Sequence, residues 1–160
     1  MFYDNKIKRM FKGIVGKIWR NLPPFARMKL IRVSQKKFTA SCAAIITNER
    51  REVLLLEHVL RPASGWGIPG GFMEYGEQPD EAIRRELREE TGLELENVKL
   101  YRARVLKRHI EFIFRAQTSG EPKILSREIL KAEGFEIAGM PAKMNRAQKS
   151  LIEKVLSEEV

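Results

Sequence analysis

Three glutamates, Glu86, Glu89 and Glu90, constrain this chain more than anything else in it, because they sit inside a stretch that reads as helix from Pro79 to Thr91. Pro79 suits a first helical turn and Gly92 stops the helix. At about 100° per residue, the three carboxylates fall within an arc of about 100°. Like charges that close repel, which costs an ordinary helix stability, so something positive has to offset them. A hard divalent cation, Mg²⁺ or Mn²⁺, does this with the oxygen ligands it prefers. Ala82 lies one turn earlier in the same arc and would leave room for an ion and water. Ile83 and Leu87 form the adjoining stripe, suited to packing on a sheet. The competing reading is a solvated helix whose Arg84, Arg85 and Arg88 balance the glutamates at the surface.

The residues ahead of the helix narrow the choice. A tight loop over Gly67–Gly71 can bring backbone carbonyls near an ion and backbone amides near phosphate oxygens. Glu77 and Arg85 are placed to form an ion pair that fixes the loop against the helix. Gly71, Glu77, Arg85, Glu86, Leu87, Glu89, Glu90, Gly92 and Leu93 together satisfy the pattern Gly-x5-Glu-x7-Arg-Glu-U-x-Glu-Glu-x-Gly-U, where U is aliphatic. In this the chain resembles the Nudix hydrolases, whose box it reproduces across residues 71–93 at every fixed position. The lead-in Trp66-Gly67-Ile68-Pro69-Gly70 is also of the family's type, and the likeness extends over about residues 38–158.

The resemblance implies an α/β fold, an α/β/α sandwich around a mixed β-sheet, with the box forming a loop-helix-loop. It implies that Glu86, Glu89 and Glu90 bind Mg²⁺ or Mn²⁺ with help from the carbonyl of Gly70. One glutamate would activate a water for attack on phosphorus, a role divided between Glu86 and Glu89. Some members use a glutamate well past the box instead; here that is Glu128, with Glu133 in reserve. Gly71, Glu77, Arg85 and Gly92 would serve the box structurally. The activity implied is hydrolysis of a phosphoanhydride bond in a nucleoside diphosphate linked to another moiety, a small nucleotide substrate. The alternatives are an RNA 5′-end pyrophosphohydrolase and a non-catalytic nucleotide-binding module of the same fold. The signatures that sort the family's subgroups are missing: no proline stands near Arg108-His109, and no tyrosine at Glu111. His58 and Arg61 are candidate contacts for substrate phosphates, with a structural role as the alternative. Phe112, Phe114 and Tyr101 could stack on a base, although strand aromatics at alternating spacing usually fill a core.

Elsewhere the pattern gives a strand at Lys37–Thr47, a turn at Asn48-Glu49-Arg50, and a second hairpin strand at Glu52–Val59. Val98–Leu106 and Ile110–Gln117 read as another strand pair, Glu128–Phe135 is ambiguous, and Asn145–Glu158 reads as a closing helix. Cys42 is the single cysteine, which rules out an internal disulfide and a cysteine-based zinc cluster. It reads as a plain core residue. No apolar run approaches the ~20 residues of a membrane span, and the expected location is cytoplasmic.

The net charge of +9 belongs to one end of the chain. Residues 1–37 hold eleven Lys or Arg against a single acid, Asp4, so that segment is +10 and residues 38–160 are −1. The division expected is a basic extension, 1–37, ahead of a catalytic domain, 38–160. Within the extension, residues 5–22 place Ile7, Phe11, Ile14, Val15, Ile18, Trp19 and Leu22 at helical spacing among Lys and Arg, a basic amphipathic helix. Pro23-Pro24 is expected to end it, with a basic connector following. Three roles suit this helix: packing on the domain or in a homodimer, lying on an anionic membrane surface, or binding RNA.

Overall fold

A computed structural model describes residues 13–61 and 65–158, and the chain divides into two compact units, Met1–Lys37 and Phe38–Val160. In the first unit, residues 13–21 are helical (α1); the earlier part of the expected 5–22 helix lies outside the described residues. The connector expected after Pro23-Pro24 is instead a second helix, α2, Pro24–Ser34. Pro24 takes its first position, where the missing N–H costs nothing and the fixed φ is already helical. Among the described residues, no helix is long and apolar enough to cross a membrane.

The second unit runs β1 (Thr39–Thr47), β2 (Val53–His58), β3 (Trp66–Gly67), β4 (Gly70–Phe72), α3 (Pro79–Thr91), β5 (Glu96–Leu106), β6 (His109–Gln117), β7 (Ile129–Phe135), a 3₁₀ turn (Ile137–Gly139) and α4 (Arg146–Ser157). The strands make one mixed seven-stranded sheet ordered β3-β2-β1-β6-β5, with β4 on β1 and β7 on β2. The β5–β6 hairpin forms close to its expected bounds. The ambiguous segment before Phe135 is the strand β7, antiparallel to β2.

The first hairpin departs from expectation. Asn48 shapes its turn, its side-chain oxygen accepting the N–H groups of Arg50 (3.0 Å) and Glu52 (2.9 Å). Yet β1 and β2 pair only at Thr47 and Val53. Beyond that rung β1 turns to β6, in parallel along its whole length, and β2 to β7. The strands diverge into a fork filled by residues 66–72: β3 pairs with Leu56 and Glu57, and β4 with Ser41, Cys42 and Ala43. The Ala44 N–H donates to the Pro69 carbonyl at 3.0 Å, joining the two short strands into the sheet.

Side-chain alternation along β1 and β2 makes two cores. Cys42, Ala44, Ile46, Leu54 and Leu56 face Ala82, Ile83 and Leu87 of α3. Ala43, Ile45, Val53 and Leu55 face Ile152 and Val155 of α4, with Met140 and Met144. A sheet covered on both faces needs apolar residues at successive strand positions, which β1 and β2 supply. The result is an α/β/α sandwich with a mixed sheet. Ala82 belongs to the first core, fully buried, so it does not make the space for an ion that its place in the arc suggested. Phe114 joins the same core and Phe112 packs on it, while Tyr101 packs on the other. Their role is packing.

Candidate active site

The site is built where β4 meets α3. Local chemistry fixes the helix ends: the Glu81 carboxylate accepts the Gln78 N–H at 3.1 Å ahead of Pro79. At the other end Gly92 takes a left-handed φ of 69°, which glycine adopts without a Cβ penalty. Its N–H closes on the Arg88 carbonyl.

The sheet register sets Gly71 opposite Cys42 and directly under the Glu86 carboxyl. Any side chain at 71 would occupy the space that carboxyl now fills, so the glycine is required for close approach rather than for a turn. Arg85 then ties the parts together. It grips Glu77 through two hydrogen bonds (2.8 and 3.1 Å) and donates to the Phe72 carbonyl at 3.2 Å. Its remaining donor reaches Glu86 at 3.0 Å and Glu89 at 3.3 Å. One guanidinium thus bonds the loop, β4 and two of the three helix carboxylates. The Glu77 bond is the chief reason that Arg85 binds its proton more tightly than usual and that Glu77 stays ionised to lower pH. Arg88 bonds Glu94 instead, and Arg84 caps the Leu95 carbonyl.

The three glutamates are not equivalent. Glu89 is exposed, Glu86 is half-buried, and Glu90 is only 7% exposed. Glu90 lies on the same helix stripe as Ile83 and Leu87, so the packing that buries them buries it. Burial first, and then the charges of Glu86, Glu128 and Glu89, push its carboxyl up to about 7, against a partial offset from Arg61. Burial likewise raises Glu86, although Arg85 opposes it. The Glu90 Oε2 atom is buried with no hydrogen-bond partner.

Glu128 acts on Glu90 across space because its segment is sewn to the helix. The Leu125 N–H donates to the Glu90 carbonyl (3.0 Å) and the Lys123 N–H to that of Thr91 (2.9 Å). Glu133, on β7 opposite Leu55, is not among the groups acting on Glu90. Arg61 lies against Gly67, its two terminal nitrogens 3.4 and 3.5 Å from the Ile68 carbonyl, and its charge reaches Glu90. His58, at the end of β2, is held neutral down to about pH 4 by burial and then by the charge of Arg61. Gly70 is paired with Ala43 in the sheet. Cys42 is buried, its thiol pushed up to about 11 chiefly by burial. It is inert at neutral pH.

The donor set is all oxygen, with an unpartnered buried carboxylate atom and a backbone cradle at Gly71, which fits a hard cation. Among the described residues, no three His, Cys, Asp or Glu side chains converge as a closed cage. Mg²⁺ tolerates this, since it usually keeps several waters and takes one or two carboxylates plus substrate phosphates.

The family model of the NUDIX domain matches residues 37–155. The chain belongs to the NUDIX family. It is 35% identical over 100 residues to the human 8-oxo-dGDP phosphatase NUDT18, covering 61% of this chain and 31% of that one. It is 31% identical over 68 residues to the RNA pyrophosphohydrolase of Ruthia magnifica subsp. Calyptogena magnifica, covering 42% and 37% of the two chains. The chain therefore spans well under half the length of these curated relatives. The crystal structure of a MutT NUDIX hydrolase from Burkholderia pseudomallei superposes with a TM-score of 0.64 at 25% identity, covering 75% of this chain and 99% of that one. Within this NUDIX domain, sequence reasoning missed the Phe72 carbonyl as an Arg85 acceptor. It also missed the unequal burial of the glutamates. The second was legible, since Glu90 stands seven residues after Ile83 and three after Leu87.

Proposed function

We propose that the chain hydrolyses a phosphoanhydride bond in a nucleoside diphosphate linked to another moiety, using Mg²⁺ or Mn²⁺. The observation that carries this is the buried Glu90 carboxylate, whose Oε2 has no hydrogen-bond partner, in the field of Glu86, Glu89 and Glu128. Four carboxylates in one another's field call for more positive charge than Arg85, which serves two of them, and Arg61, which offsets Glu90 only in part, supply. Glu86, Glu89 and Glu90 would hold the metal, with the Gly70 carbonyl. Bound there, it would lower the pKa of a water and shield the phosphate charge. Glu86 or Glu89 accepts the proton of the attacking water, with Glu128 as the candidate from the later segment. The water oxygen bonds to phosphorus, the bond to the bridging oxygen breaks, and the leaving phosphate departs with that oxygen. Arg85 holds the loop and helix in register. Arg61 is a candidate contact for the substrate's phosphates.

The two curated relatives support pyrophosphate chemistry on different substrates, a nucleoside diphosphate and RNA, and the substrate here is proposed only at the level of the linked diphosphate. The test is release of phosphate, pyrophosphate or nucleoside monophosphate across a nucleotide panel, with Mg²⁺, Mn²⁺ or chelator. Turnover is expected with either metal and not with chelator. Glu89→Gln should lower kcat by about 10²-fold or more with the melting temperature unchanged. Near-normal rates for Glu89→Gln and Glu90→Gln at saturating metal would refute the site assignment.

A further inference from the structure

The N-terminal unit combines two properties that few partners satisfy together. Its +10 charge is spread through the whole segment rather than confined to a tail. Between those charges it exposes large apolar side chains. In α1, Ile14, Val15 and Ile18 stand about half exposed (52%, 49% and 57%), with Trp19, between and beside Lys17 and Arg20. In α2 no residue is buried, and Phe25 and Val33 reach 75% and 78% exposure. Phe25, Met28 and Val33 share one open groove with Lys29, Arg32 and Lys37.

We propose that residues 13–37 form a docking surface for an anionic lipid bilayer. A nucleic acid would neutralise the Lys and Arg residues, and the bases of a single strand could stack on Phe25, but neither a strand nor a duplex offers an apolar phase for Ile14, Ile18 and Val33 to enter. A second copy of the chain would cover those apolar groups, but it would bring another +10 against the first. A bilayer surface takes both: lipid phosphates meet the basic heads, while the acyl boundary accepts the aliphatic and aromatic groups. Lys17, Arg20, Lys29 and Arg32 have long apolar stems, which let a side chain follow its helix into the interface while the charge stays at headgroup level. Trp19 is of the type enriched at that depth.

The full chain should float with vesicles of phosphatidylcholine mixed with phosphatidylglycerol and stay behind with phosphatidylcholine alone. Binding should weaken at least tenfold between low and high salt. The triple variant Ile14→Gln/Ile18→Gln/Trp19→Gln should bind the anionic vesicles at least tenfold more weakly, as should Lys17→Gln/Arg20→Gln/Lys29→Gln/Arg32→Gln. Emission should shift to the blue on vesicle binding, and Trp19→Phe should lose that shift. Unchanged thermal melts show that the variants remain folded, and unchanged nucleotide hydrolysis keeps this test separate from the catalytic one. Full vesicle binding by the apolar variant overturns the proposal. So does absence of vesicle binding alongside tight, salt-sensitive binding of a single-stranded RNA that the apolar replacements leave intact. A concentration-dependent dimer abolished by the apolar variant, with no vesicle binding, overturns it in favour of a second copy.

Discussion

Replacing Glu90 by glutamine isolates the electrostatic cost of the site without disturbing its shape. The side chain is 7% exposed and its carboxyl is pushed up to about 7 from the usual range near 4.5. In metal-free protein the folded state therefore holds this proton more tightly than the unfolded chain does. Stability falls as pH climbs from about 4.5 to about 7 and stays low above that. At about 1.4 kcal/mol for each tenfold, a carboxyl moved from 4.5 to about 7 costs the fold about 3 kcal/mol at pH 8. Glutamine keeps the volume and removes the charge, so the cost vanishes with it. Urea unfolding of both proteins in chelator, from pH 4 to pH 8, measures this directly. The wild type should lose about 2–3 kcal/mol relative to Glu90→Gln across that range, the lower bound allowing for Glu86 relaxing when its neighbour is neutral. Adding Mn²⁺ at pH 8 should then stabilise the wild type more than the variant. A stability difference that stays flat with pH would refute the reasoning, because it would mean that the buried carboxylate carries no charge penalty.

Two further substitutions test the scaffold around that charge. Gly71→Ala forces a methyl group into the space of the Glu86 carboxyl and should cost about 1–3 kcal/mol in urea unfolding along with most of the turnover. Full activity with unchanged stability would show that the cradle is loose. Arg85→Lys keeps a positive charge but cannot span Glu77, Phe72, Glu86 and Glu89 together, so kcat should fall about tenfold or more even at saturating metal. Recovery of wild-type kcat on raising metal would limit Arg85 to a role in metal affinity.

What the sequence discloses about this fold depends on how far apart the cooperating residues lie. Both ends of α3 are legible because Pro79 and Gly92 act on their own neighbours. The pairing of β1 is not, because its parallel partner β6 lies about 70 residues away and wins over the adjacent β2. Both strands carry apolar residues at successive positions, so alternation could not say which edge met which. α2 escaped notice because Pro23-Pro24 ends one helix and begins another, and its apolar residues do not keep to one stripe. At the site, helical spacing placed three glutamates in one arc and stopped there. The spacing also drew Ala82 into the arc, although the sheet-facing stripe runs through Ala82, Ile83, Leu87 and Glu90. The same stripe explains why Glu90 alone is deeply buried.

The stitching of Lys123 and Leu125 to the last carbonyls of α3 has an evolutionary consequence. Only two residues, Ser126 and Arg127, separate the anchored Leu125 from Glu128, whose own carbonyl is fixed by the Val59 N–H at 2.9 Å. A change of one residue in that short span must either be absorbed as a bulge at Ser126-Arg127 or break the Val59–Glu128 bond and displace the Glu128 carboxylate by up to about 3.5 Å, while β7 and α3 keep their partners. A lineage could therefore exchange the acid at this position, or discard it, by a single-codon change in length. The helix glutamates have no such freedom, because any shift in α3 rotates all of them together and takes Glu86 away from Gly71. Diversity among relatives should accumulate in the segment after Thr118, and uniformity between Gly71 and Leu93.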